Sequence, residues 1–264
     1  MKRIATALFA VCFAVPLFAQ NPRTFVSGTG VDTGSTCGAS APCRSFAYAL
    51  SVTNGGGDIV ALDSAGYGTV SITKAVNIIV PNGILGAVTV PGSGVGITVN
   101  AGSLDVVRIQ GVHINTGGVS TTGLRTAGVC CKRIELKNVE ITGVSTGIDL
   151  PVDTRMSAEN LKISDFGTAL YAHGGTNAAT TTMKVYLLSP VIEGGTIGLK
   201  FDEGALYTYN GAAAYITIPY QYANETFVSG CTPTNPFTLA IYNGNGSDSR
   251  NGINSWDYTA CQSP

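Results

Sequence analysis

Gly96-Ile97-Thr98-Val99, Gly123-Leu124-Arg125-Thr126, Gly147-Ile148-Asp149-Leu150, Ala169-Leu170-Tyr171-Ala172 and Gly198-Leu199-Lys200-Phe201 are five versions of one phrase. They start 27, 24, 22 and 29 residues apart. A second phrase follows each of the first four: Val112-His113-Ile114, Val139-Glu140-Ile141, Leu161-Lys162-Ile163 and Tyr186-Leu187-Leu188. Two strand types therefore alternate, in step. One such unit cannot bury its apolar face alone, but similar units stacked side by side form a parallel sheet over a continuous core. Alternation turns Ile148, Leu150 and Val152 inward and the polar residues between them outward. Loops of variable length absorb the uneven step. The fold class this implies is all-β: a single-stranded right-handed parallel β-helix of about 6–7 coils. A sandwich would favour two-residue hairpins, and a propeller would need about 40 residues per blade.

Working outward, Asp58–Leu62, Thr69–Ile72 and Val76–Val80 are short alternating runs bounded by Gly, Asn or Pro, as strands are. Before them, Pro42 suits a first helical turn. Phe46, Ala49, Leu50 and Thr53 follow at helical spacing, and Asn54-Gly55-Gly56-Gly57 stops the run. The spacing predicts a helix over 42–53. A stack of strands has open ends that need covering, so this helix is expected to cap the N-terminal end. After Tyr220 the repeat fades and Pro233 and Pro236 appear; this segment is read as the opposite cap. The expected division is signal peptide 1–19, N-terminal strand and capping helix 20–57, parallel β-helix 58–219, and C-terminal cap 220–264.

Met1-Lys2-Arg3, an apolar run from Ile4 to Val15, and Leu17-Phe18-Ala19 before Gln20 have the form of a cleaved export signal. The expected location is secreted or periplasmic. Losing Lys2 and Arg3 takes the formal net charge from −1 to −3. No basic field is left for phosphates, which argues against nucleic acid as a partner. No later run reaches the ~18 apolar residues of a membrane span. Cys37, Cys43, Cys130, Cys131, Cys231 and Cys261 remain after the signal. In an oxidising compartment such thiols pair, and Cys37–Cys43 and Cys231–Cys261 are the economical pairings. The pairing of Cys130 and Cys131 stays open; as strand neighbours they would face opposite ways, one buried and one exposed. No spacing suits zinc.

Phe25-Val26-Ser27, Gly30 to Gly34, Pro42 to Leu50, Gly57-Asp58-Ile59-Val60-Ala61-Leu62, Gly66-Tyr67-Gly68 and Val70-Ser71-Ile72 together resemble the opening segment of secreted β-helix proteins of the pectate-lyase-like superfamily. The close likeness covers about residues 25–80, and a looser repeat likeness runs to about 205. That superfamily includes polysaccharide lyases, glycoside hydrolases and adhesins. The resemblance implies the fold and leaves the activity open.

A lyase of this kind needs a base, and calcium or basic groups to neutralise a uronate carboxylate. Glu140, Asp149, Asp153 and Asp165 are the candidate acids; Lys132, Arg133, Arg155 and Lys162 are the candidate cations. They form no motif of that family, and outward strand positions must be polar in any case. The Asn-Thr-Asp, Asp-Asp, Gly-His-Gly and Arg-Ile-Lys elements of polygalacturonases are missing. His173 reads as a turn residue, and His113 as an outward strand residue. Gly28–Asp32 and Gly244–Asp248 read as turns rather than calcium loops. No cofactor is expected; calcium belongs to the lyase alternative. Tyr207, Tyr209, Tyr220 and Tyr222 are the candidate carbohydrate contacts, because a tyrosine offers an apolar ring with a polar tip. The expectation is an exported, non-catalytic β-helix that binds polysaccharide, a cell-surface glycan or a surface partner, or serves a structural role. The alternative is a lyase or hydrolase acting on acidic polysaccharide.

Overall fold

The computed structural model describes residues 21–173 except 35, 117, 118, 129 and 153, then 184–201, and the backbone of five short strands between 206 and 242. Three all-parallel sheets wind through it. Each coil visits them in turn. The first sheet holds Arg23–Val26, Gly57–Ala61, Val76–Ile79, Val106–Gln110, Arg133–Lys137, Arg155–Glu159 and Lys184–Leu188. The second holds Ala65–Gly66, Gly86–Val90, Val112–Thr116, Glu140–Thr142, Lys162–Ser164, Val191–Glu193 and Tyr215–Ile216. The third holds Val70–Ile72, Val95–Val99, Thr122–Thr126, Thr146–Leu150, Thr168–Ala172 and Ile197–Phe201. This is a parallel β-helix, and its third sheet is the repeated phrase of the sequence, in register.

Stacking turns each sequence position into a column. In the second sheet Ile114, Ile141, Ile163 and Ile192 lie on one another, all fully buried. In the third, Ile97, Leu124, Ile148 and Leu170 do the same. Burying each such side chain stabilises the fold by about 1.5–3 kcal/mol relative to leaving it in water. Leu150 is buried as expected, whereas Val152 is half-buried at the rim of the core. The corners also form columns. Gly111, Asn138, Asn160 and Ser189 turn the chain from the first sheet to the second with positive φ; Gly143, Asp165 and Gly194 turn it from the second to the third. Asn and Asp tolerate this left-handed region better than most residues. Asn160 also donates its side-chain amide to Asn138, 3.0 Å away, along the stack.

Tyr186-Leu187-Leu188 is not a fourth copy of the second phrase. It pairs with Ser157-Ala158-Glu159 in the first sheet, and Val191-Ile192-Glu193 takes the expected place. The intervening turn at Ser189 decides this, because it is the register equivalent of Asn160.

The N-terminal helix runs over Phe46–Val52, not from 42. Cys43 is held by a parallel bridge to Val26 and a disulfide to Cys37, so the chain is still extended there. Ser45 is the N-cap: its hydroxyl accepts from the Tyr48 amide at 3.2 Å and donates to Asp32 at 2.7 Å. The helix buries Phe46, Ala49 and Leu50, with the Phe46 ring 4.9 Å from that of Tyr67. It packs against Arg23–Val26, Gly57–Ala61 and Val70–Ile72. Cys130 and Cys131 form a disulfide with each other. Both are buried, contrary to the expected split, because they sit in a loop after Thr122–Thr126 where strand alternation does not apply.

At the far end, Leu206–Gly211 pairs antiparallel with Phe237–Tyr242, and Tyr220–Gln221 with Thr226–Phe227. Residues 1–19, Cys231 and Cys261 lie outside the described residues.

Candidate functional site

The charged candidates separate onto three faces. On the first sheet, outward positions form a polar ladder. The Asn77 amide donates to Asp58 at 2.8 Å, and Arg108 meets Glu135, which also pairs with Arg133. Asn77 and then Arg23 hold the Asp58 carboxyl below the usual carboxylate range. Arg155 stands exposed at the start of its strand. On the second sheet, His113, Glu140 and Lys162 share a column, and Lys162 reaches Glu140 at 3.4 Å. The His113 Nε2 is buried without a hydrogen-bond partner. Asp165 is a corner residue. Lys132 lies in the loop beside the Cys130–Cys131 pair, with its amide on the Asp105 carbonyl. Asp153 lies outside the described residues.

The third sheet differs. Thr98, Arg125, Asp149 and Tyr171 occupy one outward column, as neighbours on successive coils, and the backbone of Lys200 pairs with that of Tyr171. Asp149 faces outward yet its side chain is 13 % exposed, because its neighbours cover it. Arg125 Nε lies 3.1 Å from Asp149 Oδ2. His173, one residue past its strand, brings Nε2 to 2.7 Å from Oδ1. The imidazole stacks on the Tyr171 ring, centroids 4.0 Å apart and planes 19° apart. The His173 amide donates to the Leu150 carbonyl at 3.1 Å, extending the ladder beyond the strand and fixing the ring's origin.

The chemistry follows from these contacts. An ionised carboxylate only accepts, so in neutral His173 the proton sits on Nε2 and Nδ1 is the acceptor. Arg125 approaches Asp149 through Nε, and its side chain is half exposed. The result is a patch with fixed polar groups beside stacked rings. It spans three adjacent coils. Among the described residues, no group of three or more His, Cys, Asp or Glu is placed to hold a metal ion.

Asp149 was legible as a candidate acid, and His173 meets it rather than serving as a bare turn. Arg125 and Tyr171 were not singled out, although both hold the third place in the repeated phrase, as Asp149 does. Tyr207 and Tyr209 lie on Leu206–Gly211, opposite Ile241 and Leu239. Tyr220 lies opposite Phe227, and Tyr222 falls outside the described residues. Among the described residues no helix is long and apolar enough to cross a membrane. No family model matches this chain, and no curated protein or solved structure matches it either.

Proposed function

We propose that this chain is an exported, non-catalytic parallel β-helix of the pectate-lyase-like kind that binds a glycan on the outer face of its third sheet. Residues 1–19 serve as the export signal in this reading. The observation that carries the binding surface is the Arg125–Asp149–His173 cluster with Tyr171 stacked on the imidazole. Sugar rings stack on aromatic faces, and their hydroxyls suit planar polar groups held in place. Tyr207, Tyr209, Tyr220 and Tyr222 are proposed as further contacts from the C-terminal segment.

A second reading, a lyase or hydrolase acting on acidic polysaccharide, gains from the same cluster. Charges of both signs converge across adjacent coils, and His173 has a carboxylate to orient it, as a general base requires. Against it, Arg125 is already paired with Asp149 and is less available to neutralise a uronate. Calcium would enter under this reading alone.

One experiment separates them. Purified chain is incubated with a panel of neutral and uronate polysaccharides, with and without calcium, and both retention and product are measured. Retention without new reducing ends or unsaturated product, lost in Arg125→Ala and Tyr171→Ala, supports binding. Turnover on any substrate transfers the case to the enzyme reading. No retention across the panel by a folded protein refutes both.

A further inference from the structure

Two disulfides occur among the described residues, and they differ in kind. Cys37–Cys43 spans 6 positions and Cys130–Cys131 spans 1. On the loop-closure account a crosslink stabilises by restricting the unfolded chain, more so for longer loops. A bond between neighbours restricts almost nothing. Its purpose is therefore local. All four cysteines are buried, Cys37 and Cys43 at 0 % exposed, Cys130 at 7 % and Cys131 at 5 %, so the second pair alone keeps a small contact with solvent. Cys37–Cys43 closes the segment between the first strand and the helix, whereas Cys130–Cys131 lies in the loop between Thr122–Thr126 and Arg133–Lys137. That loop turns at Gly128, with φ of 64°. The Cys131 amide reaches the Ala101 carbonyl of the preceding coil at 3.4 Å, and the next amide, Lys132, donates to the Asp105 carbonyl at 2.8 Å. Lys132 follows directly in the chain, and a neighbouring cation favours the thiolate form on which exchange depends.

We propose that Cys130–Cys131 is a thiol-exchange site for low-molecular-weight thiols, opened while Cys37–Cys43 stays closed. A thiolate attacks one sulfur, forming a mixed disulfide and releasing the other cysteine as thiolate. A second thiol molecule resolves the mixed disulfide. In sum, one protein disulfide and two thiol molecules give two protein thiols and one small disulfide. The loop is then free to leave Ala101. It begins directly after the strand that carries Arg125, so the site borders the proposed binding face without being part of it.

The test titrates the folded full chain with reduced glutathione, alkylates it and maps the labelled peptides by mass spectrometry. Cys130 and Cys131 label as a pair at about a tenfold lower glutathione concentration than Cys37 and Cys43. After reduction the Cys131 amide exchanges hydrogen about tenfold faster, while Leu124 is unchanged. Simultaneous labelling of both pairs, labelling that requires denaturant, or free thiols at Cys130 and Cys131 before any reductant overturns the assignment. Unchanged exchange at Cys131 overturns the release of the loop. Glycan retention is not a readout here, so failure of the binding proposal leaves this result standing. In Cys130→Ser/Cys131→Ser the low-concentration glutathione consumption disappears. If that variant does not fold, the wild-type labelling order still decides.

Discussion

Gly123→Ala tests the stacking argument at its tightest point. A Cβ built on Gly123 would lie 2.6 Å from the Gly147 carbonyl oxygen and 2.7 Å from Ile141 Cγ2. The oxygen belongs to the backbone of the next coil, so no side-chain rotation relieves the contact. Gly96 and Gly147 occupy the same column, where a Cβ would come within 2.7 and 2.4 Å of the next coil's carbonyl oxygen. Ala169 stands in the same column, by register between Gly147 and Gly198. A methyl group is thus accommodated once at this position, which bounds the cost to that of a local shift. Overpacking of this sort costs about 1–3 kcal/mol. Replacing Gly by Ala returns about 0.4–1 kcal/mol through the unfolded chain. The expected net loss is about 1–2 kcal/mol.

The control is Gly55→Ala. Gly55 has open space around a Cβ and no positive φ, so the entropic gain should appear undiminished, about 0.4–1 kcal/mol of stabilisation. The two variants should therefore bracket wild type in urea unfolding followed by far-ultraviolet circular dichroism, with the slope unchanged. A Gly123→Ala protein with a midpoint at or above that of Gly55→Ala would refute the reasoning. The repeated glycine would then not mark close approach of coils.

Other outcomes follow from single contacts. Ser45→Ala removes the helix N-cap and should cost about 1 kcal/mol, measured by the same unfolding assay. Asp149→Ala strips the partner from His173; nitrogen chemical shifts of the imidazole should show loss of the Nε2–H preference, and glycan retention should fall together with that of Arg125→Ala. The Asp63 carboxyl is held below the usual range by the Ser27 hydroxyl, then the Gly28 amide and the Tyr67 hydroxyl, and Asp58 is lowered likewise. Both bind protons more weakly folded than unfolded. Their contribution is present above the unfolded value of about 4 and is lost as pH falls through the lower folded values. Asp63→Asn should flatten the acid limb of a plot of melting temperature against pH. Burial, then Asp63, raises the Tyr67 hydroxyl. Its contribution is lost as pH rises from about 10 toward the folded value, so Tyr67→Phe should flatten the alkaline limb.

The third sheet was readable because its phrase combines a glycine with two inward aliphatic positions. The first sheet was harder to read beyond Val80. Its strands Val106–Gln110, Arg133–Lys137 and Arg155–Glu159 carry charges at outward and end positions, and among these three only the first is closed by a glycine, Gly111. The turns after the other two use Asn138 and Asn160, which do not advertise a left-handed corner as glycine does. Pro42 suggested the helix start, but a bridge and a disulfide at Cys43 outweigh local propensity there. The site was hidden for a different reason. Read along the chain, Arg125, Asp149 and Tyr171 are isolated residues 24 and 22 positions apart. Read by place within the repeat, they are neighbours.

Burial separates the third-sheet column from an ordinary solvated face. The first-sheet ladder shows what stability asks of outward positions: Glu135 between two arginines is 28 % exposed, and the arginines are half exposed. Exposed pairs of that kind contribute about 0–1 kcal/mol and cost little to form. Asp149 is at 13 %. Desolvating a carboxylate is costly unless its partners return the energy, and the exchange is often neutral or worse than apolar packing. A threonine, as at Thr98 in the same column, would satisfy the sheet without that cost. The chain instead places a carboxylate there, with a guanidinium on one side and an imidazole stacked on tyrosine on the other. Fold stability does not require this arrangement, and it is the reason for assigning the proposed ligand to this face rather than to either of the other two.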